Sequence, residues 1–391
     1  MEIRRAGEAD AGAVRSLWSY CFEKEGTPFF DWYFSKACRM EDVLLGVDDG
    51  QIACDLHLRP YTLSVREKVM AADYIVGVAT HPAARGRGKA RTLIAGAFRA
   101  SRAAGKAVDI LMPSDASFYR PQGFGFYAFQ WQREAEPLRL AQIGRKPVSM
   151  GTIESVDQWK VLDGVYRAHT ARRTGYTLRD EASWRWHIEA QLKEGYIAYV
   201  CDEKGPAGYL FYSIDDGVLS ANEMAYVHEG GQKGLYAYMA GHLGSVSLCR
   251  WQEPLDDRSY VYWQDGAEHT YVKNRTFPYM MARLTDPAAA FTGLSLPGTL
   301  EGSVTLVIED LVLPELNGPY TFKAHEGVLL VKAGGAAPSG TLSIAGAAQL
   351  LFGAMDIDDL IRCGEASADE TAEAFLQTAF PRQNPWVNEW Y

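Results

Sequence analysis

Residues 73–103 constrain this chain more tightly than any other stretch. The apolar run Asp73-Tyr74-Ile75-Val76-Gly77-Val78-Ala79-Thr80 has strand composition, His81-Pro82 interrupts it, and the glycine- and arginine-rich Arg85-Gly86-Arg87-Gly88-Lys89-Ala90-Arg91 follows. Residues 90–103 then carry Leu93, Ile94, Ala97 and Phe98 at helical spacing, and residues 108–112 read as the next strand, stopped by Pro113. Strand, glycine loop, helix and strand in that order make an α/β unit. Its loop brings consecutive backbone N–H groups, two of them on glycines, to a helix N-terminus whose dipole favours anions, so it suits phosphate. Two familiar phosphate loops are excluded: the spacing lacks a P-loop's closing Lys-Ser/Thr pair, and Arg91 stands where a dinucleotide fingerprint needs its third glycine.

A chain of 391 residues exceeds what one hydrophobic core serves, so two or three domains are expected. Hydrophobic residues at 47% and charged residues at 23% exclude a largely disordered chain, a collagen and a coiled coil. The net charge of −10 removes the basic surface that nucleic acid requires, opposes anionic membranes and favours cationic small molecules. Cys21, Cys38, Cys54, Cys201, Cys249 and Cys363 include no Cys-x-x-Cys pair, which points to a reducing cytoplasm. No His/Cys/carboxylate set has metal-ligand spacing, no apolar segment follows Arg4-Arg5 as in a secretion signal, and no later run spans a bilayer.

Three units are expected. Residues 1–140 form the first, with a helix over 10–22, strands over 43–47 and 51–58, the unit described above, and an aromatic strand over 124–131. Residues 141–285 form the second, with helices over 156–171 and 181–192, the latter capped by Asp180, and strands over 196–201, 207–214 and 218–226. There Glu229-Gly230-Gly231-Gln232-Lys233-Gly234 leads into a helix and a strand over 246–251, which repeats the order of residues 73–112 as a degenerate duplication. Residues 286–391 alternate short strands, over 303–308, 320–324, 327–332 and 341–344, with helices over 345–352, 357–363 and 371–378, an α+β unit.

The run from Val78 to Ala90 resembles the acetyl-coenzyme A motif of the GNAT N-acetyltransferases, Arg/Gln-x-x-Gly-x-Gly/Ala after a strand, with Arg85, Gly88 and Ala90 in the motif positions. Ser114-Asp115-Ala116-Ser117-Phe118-Tyr119-Arg120-Pro121-Gln122-Gly123-Phe124-Gly125-Phe126 is similar to a segment of the enhanced intracellular survival (Eis) type. The resemblance covers the whole chain. It implies an active GNAT domain, a degenerate second one and a sterol carrier protein-like third. It implies acetyl-coenzyme A as co-substrate, bound by Val78, Ala79, Thr80, Arg85, Gly86, Arg87, Gly88, Lys89, Ala90 and Arg91, with Ser114 and Asp115 beside it. It further implies transfer to a primary amine of a cationic small molecule (aminoglycoside- or polyamine-like) or of lysine, without a metal, in a homo-oligomer, commonly a hexamer. An alternative on the same scaffold is a non-catalytic small-molecule or lipid-binding protein.

In that family a tyrosine is the general acid, here Tyr119; a phenol with a pKa near ~10 is protonated at neutral pH and can donate to a departing thiolate of pKa about 8.5. The family's base is the carboxylate of a terminal aromatic residue, here Tyr391, with Glu389 and His81 as other candidates. Burial would have to raise an α-carboxylate of pKa about 3.5 for that role. Several other residues are expected to carry no chemistry. Glu229 opposes a pyrophosphate at the second loop, Trp184, Trp186 and His187 pack on their helix, and Asp31, Glu41 and Glu223 are taken as solvated, the alternative being that they line a cationic substrate pocket.

Overall fold

The computed structural model describes residues 1–263, 272–335 and 337–389. Thirteen strands build one continuous sheet. In chain order they are β1 (Glu2–Arg5), β2 (Val43–Asp48), β3 (Gln51–Val65), β4 (Lys68–Thr80), β5 (Val108–Leu111), β6 (Gly125–Ala135), β7 (Ser149–Thr152), β8 (Tyr176–Thr177), β9 (Tyr196–Asp202), β10 (Gly205–Asp215), β11 (Val218–Tyr226), β12 (Leu248–Pro254) and β13 (Val272–Leu284). In space the order is β1-β2-β3-β4-β5-β13-β6-β12-β11-β10-β9-β7, with β8 beside β3.

The order exposes the duplication. In the first half β2, β3 and β4 are antiparallel and β4 pairs parallel with β5 after the crossover helix Lys89–Ala103. In the second half β9, β10 and β11 are antiparallel and β11 pairs parallel with β12 after the helix Glu229–Ala240. Between the halves, β13 runs antiparallel to both β5 and β6, and β6 antiparallel to both β13 and β12. A strand late in the chain thus completes the sheet of the first half.

The strand β13 is not anticipated by the sequence reading. Pro278 argues against a central strand because it donates no ladder hydrogen bond, and here it sits beside a register shift. The hairpin of β3 and β4 is also longer than expected, since Arg59-Pro60 interrupts its pattern yet pairs with Asp73 and Tyr74.

A five-stranded sheet, β14 (Gly302–Glu309), β15 (Gly318–His325), β16 (Val328–Ala333), β17 (Gly340–Ser343) and β18 (Ala366–Ala368), carries the third unit. Its helix Ile344–Phe352 is buried on nearly every face, and Phe352 lies 4.1 Å, centroid to centroid, from Tyr127 of β6. The Arg66 guanidinium donates to the carbonyls of Leu351, Leu350 and Pro381 at 2.9, 3.0 and 2.9 Å, which ties this unit to the β3–β4 hairpin.

The last described residues return to the first two units. The Trp386 N–H donates to Thr174 O, Gln130 Nε2 donates to Val387 O at 2.9 Å, and the hydroxyls of Tyr74 and Tyr279 donate to Glu389 O at 3.2 and 2.5 Å. Residues 386–389 are all buried, unlike an ordinary frayed terminus.

Candidate active site

Strands β4 and β5 pair only through Ala72–Tyr74 and Val108–Ile110, and then part. Beyond that point β4 carries a bulge opposite Asp55 and His57, where Gly77 has φ +61°. A Cβ at Gly77 would lie 2.3 Å from the Trp18 ring, so backbone angle and packing both require glycine there. The wedge opened by the parting is a cleft of roughly 720 Å³.

The arginine-glycine loop forms one wall. Gly86 and Gly88 both take left-handed φ, +73° and +72°, and turn the chain into the helix Lys89–Ala103, whose N-terminus no side chain caps. Its first N–H groups are therefore left for a ligand. Arg85 Nε donates to Thr80 O at 3.1 Å, which fastens the loop to the end of β4, and Lys89 pairs with Asp48. Of the residues expected to hold the co-substrate, Val78, Thr80, Arg85, Gly86, Gly88, Lys89, Ala90, Arg91, Ser114 and Asp115 line the cleft. Ala79 is buried in the β3–β4 ladder, and Arg87 is exposed but outside the lining.

Tyr119 lines the cleft from the short helix Ala116–Tyr119, which Asp115 caps by accepting from the Ser117 N–H at 2.9 Å. Its ring packs edge-on against Phe118 and Phe124, at 5.0 and 6.0 Å between centroids. Burial pushes the phenol up from its ordinary value, against a hydrogen bond with Ser114, so it stays protonated across the neutral range. His81 is turned away: its Nδ1 accepts from the Ala83 N–H at 3.3 Å, as the cap of a short turn.

The corresponding loop of the second half is closed. His228 Nδ1 accepts from the N–H groups of Gly230 and Gly231, at 3.1 and 3.4 Å, filling the anion position with the chain's own side chain. A Cβ at Gly231 would meet Ala207 O at 2.1 Å, so helix and strand touch where a phosphate would need space.

A second pocket of roughly 730 Å³ lies across the loop that follows the helix Ala11–Cys21. Cys21 and Phe22 line the first cleft, and Glu23 and Phe29 line this one. Its other walls come from Trp186, His187, Ala190, Gln191 and Glu194, from Phe211, Ser213, Ile214 and Asp215, from Asn222-Glu223, and from Asn388. Trp184 packs in the core as expected, but Trp186 and His187 face this pocket. Glu223 also corrects the sequence reading: it is buried and lines the pocket, whereas Asp31 and Glu41 are exposed.

Behind the wall lies a buried ionic cluster. Arg179 forms a two-pronged pair with Glu223, at 2.7 and 2.9 Å, and reaches Asn388 O and Glu389 Oε1 at 2.9 and 3.2 Å. Burial alone would lower the guanidinium's pKa, but the carboxylates of Glu223 and Glu389 hold it well above its ordinary value. Arg179 escapes local motif reading because its partners lie far away in sequence, whereas Glu389, a candidate base in the sequence, is held here as its ion-pair partner. The signal available was the aromatic tail that places Glu389. Tyr391 lies outside the described residues.

Residues 2–127 match the acetyltransferase (GNAT) domain, and residues 175–284 match a second acetyltransferase (GNAT) domain, together more than half of the chain. It belongs to the GNAT acetyltransferases. As a GNAT protein it is an acyltransferase, of a family that takes its acyl group from acyl-coenzyme A. Residues 287–388 match the sterol carrier protein domain, so the acyltransferase has the three-part order expected.

The whole chain superposes on a probable N-acyltransferase from Enterococcus faecalis V583 with TM-score 0.88 at 20% identity, covering 100% of this chain and 99% of that one. A GCN5-related N-acetyltransferase from Anabaena variabilis gives 0.84 at 18% identity, and Eis1 from Mycobacterium abscessus 0.77 at 16%, each with 100% of both chains covered. These likenesses are of fold. No curated protein matches the sequence. Among the described residues no group of three His, Cys, Asp or Glu is placed to hold a metal ion, and no helix is long and apolar enough to cross a membrane.

Proposed function

We propose that this GNAT acyltransferase moves an acetyl group from acetyl-coenzyme A to a primary amine of a cationic small molecule. The observation that carries the reading is the adjacency of two clefts across one loop, one ending in an uncapped helix N-terminus and one lined by carboxylates. The first suits pyrophosphate, with the parted edge of β4 offering main-chain groups to the pantetheine amides and Tyr119 serving as general acid. The second presents Glu23, Glu194, Asp215 and Glu223 with no lysine or arginine among its lining residues. Burial and the neighbouring Glu23 charge push Glu194 up, as expected of a carboxylate awaiting a cation. Phe29, Trp186 and Phe211 add apolar and aromatic surface for the body of the acceptor.

The base in this reading is the α-carboxylate of Tyr391. Its support is the anchoring of Glu389 by Tyr74 of β4, the last residue before β4 and β5 part, since two residues of extended chain reach about 7 Å from there. The reading also takes the chain as three units divided near 140 and 285 and, from the resemblance, as a cytoplasmic homo-oligomer of hexameric type. Sedimentation velocity tests that last element.

Two results are expected. Thiol release from acetyl-coenzyme A in the presence of kanamycin, spermidine or a lysine peptide depends on the amine, and residues added after Tyr391 abolish it by turning the carboxylate into an amide. Release unaffected by the extension would remove Tyr391 from the mechanism. Gly88→Glu weakens acetyl-coenzyme A at least about tenfold by calorimetry, because it puts a negative charge at the helix N-terminus. A Cβ there meets nothing within 4 Å, so the loss is of charge and backbone angle and not of packing. Unchanged affinity would put the pyrophosphate elsewhere.

A further inference from the structure

The first cleft narrows toward the bulge of β4. Thr80 and Val78 line it, Gly77 precedes them, and before Gly77 the two strands meet at Ala72–Tyr74 and Val108–Ile110. Against Gly77 stands the indole of Trp18, on the helix Ala11–Cys21 and 7% exposed. A Cβ at Gly77 would meet Cζ3, Cε3 and Cη2 of that ring at 2.3, 3.0 and 3.3 Å, so the six-membered part of the indole rests on the β4 backbone itself.

Other rings hold the indole there. Tyr33 stacks on it at 4.7 Å between centroids with the planes 22° apart, and Phe22 and Phe34 meet it edge-on at 5.0 and 5.6 Å. Phe22 also lines the first cleft, and Phe29, which lines the acid-lined pocket, stacks on Tyr33 at 6.0 Å. Trp18, Tyr33 and Phe29 are therefore a row of stacked rings that joins the wall of one cavity to the wall of the other. The indole N–H is buried without a hydrogen-bond partner among the described residues, so packing alone fixes the ring. A wall of this kind resists expansion, because admitting even one methylene forces its aromatic neighbours off their packed positions.

We propose that Trp18 is a specificity-determining residue that restricts the acyl donor to acetyl-coenzyme A. A donor with its pyrophosphate at the loop of residues 85–91 presents its thioester at the opposite, converging end of the cleft, and carbons beyond the carbonyl then run against the Trp18 ring. Acetyl carries a single such carbon. Butyryl and octanoyl carry progressively more, and each has to displace the stacked row. The inference rests on the placement of the donor in the first cleft, as read above, and is independent of the amine that accepts the group.

The test compares acetyl-, butyryl- and octanoyl-coenzyme A in wild type and Trp18→Phe, by calorimetric affinity and by thiol release with kanamycin or spermidine. Phenylalanine has the smaller ring and forfeits no hydrogen bond, so it opens space at Gly77 while keeping the aromatic row. From acetyl to butyryl, wild type is expected to lose at least about tenfold in affinity and in kcat/KM, the lower end of what a surplus methylene costs in a closed pocket, and more to octanoyl. In Trp18→Phe the butyryl-to-acetyl ratio is expected to rise at least about tenfold, with acetyl-coenzyme A affinity within about threefold of wild type. Trp18→Met serves in the same way, and the ratio is read from whichever variant melts cooperatively. Wild type that takes all three donors equally, or a folded variant with the wild-type ratio, overturns the role of Trp18. Wild type inert toward both amines overturns the acceptor reading, and the three affinities then decide this inference by themselves. Wild type that binds none of the three donors overturns the co-substrate cleft, and this inference with it.

Discussion

Arg179→Met is expected to remove about 3–5 kcal/mol of stability at pH 7, the range for stripping one partner from a buried ion pair. The guanidinium is 1% exposed and serves Glu223 of β11 and Glu389 of the tail, themselves 5% and 0% exposed, so its loss leaves two carboxylates buried without a cation. Methionine fills much of the same volume, and it still packs against Tyr166 and Trp184, which now lie 4.5 and 4.8 Å from the guanidinium carbon. The loss is therefore electrostatic. Urea melts at pH 7 measure it, and Glu223→Gln added to Arg179→Met is expected to recover part of the loss. A variant as stable as wild type at pH 7 would mean that the cluster contributes nothing to holding the tail.

This cluster also marks where the sequence stopped being legible. The cleft proposed for the co-substrate has parts that are local in sequence: a strand, two left-handed glycines and a helix within residues 73–103, and Tyr119 soon after. Arg179, His187, Glu223 and Glu389 come from four separate segments. Taken one at a time, Arg179 carries no signal, His187 reads as packing, Glu223 as a surface acid and Glu389 as one candidate base, and only the fold of the second half against the returning tail brings them together. The same holds for β13, whose partners Val108–Leu111 and Gly125–Ala135 are more than a hundred residues away. Local periodicity carries no information about a pairing of that span. The degeneracy of the second loop was legible in part: Glu229 signalled it, but the filling of the anion position by His228 is a matter of geometry.

Tyr119→Phe is expected to lower kcat/KM about 100-fold while leaving acetyl-coenzyme A affinity within about threefold, the low end of the range for general-acid catalysis. The low end follows from the environment. Burial holds the phenol above its ordinary value of about 10, whereas the departing thiol has a pKa near 8.5, so complete transfer to sulfur is uphill and the hydroxyl contributes chiefly by hydrogen-bonding the thiolate as it forms. The ring, packed between Phe118 and Phe124, needs no hydroxyl to stay in place, so the variant should fold and bind as wild type does. The same shift predicts the alkaline side of the pH profile. A phenol held above its ordinary value keeps its proton until the pH exceeds about 10, so wild type should show no loss of activity from Tyr119 below that point. Steady-state thiol release against pH for both proteins tests both statements. A Tyr119→Phe variant with wild-type kcat/KM would assign the proton on sulfur to another donor, and an alkaline limb near pH 8.5 that vanishes in the variant would mean that the phenol is a far stronger acid than its burial allows.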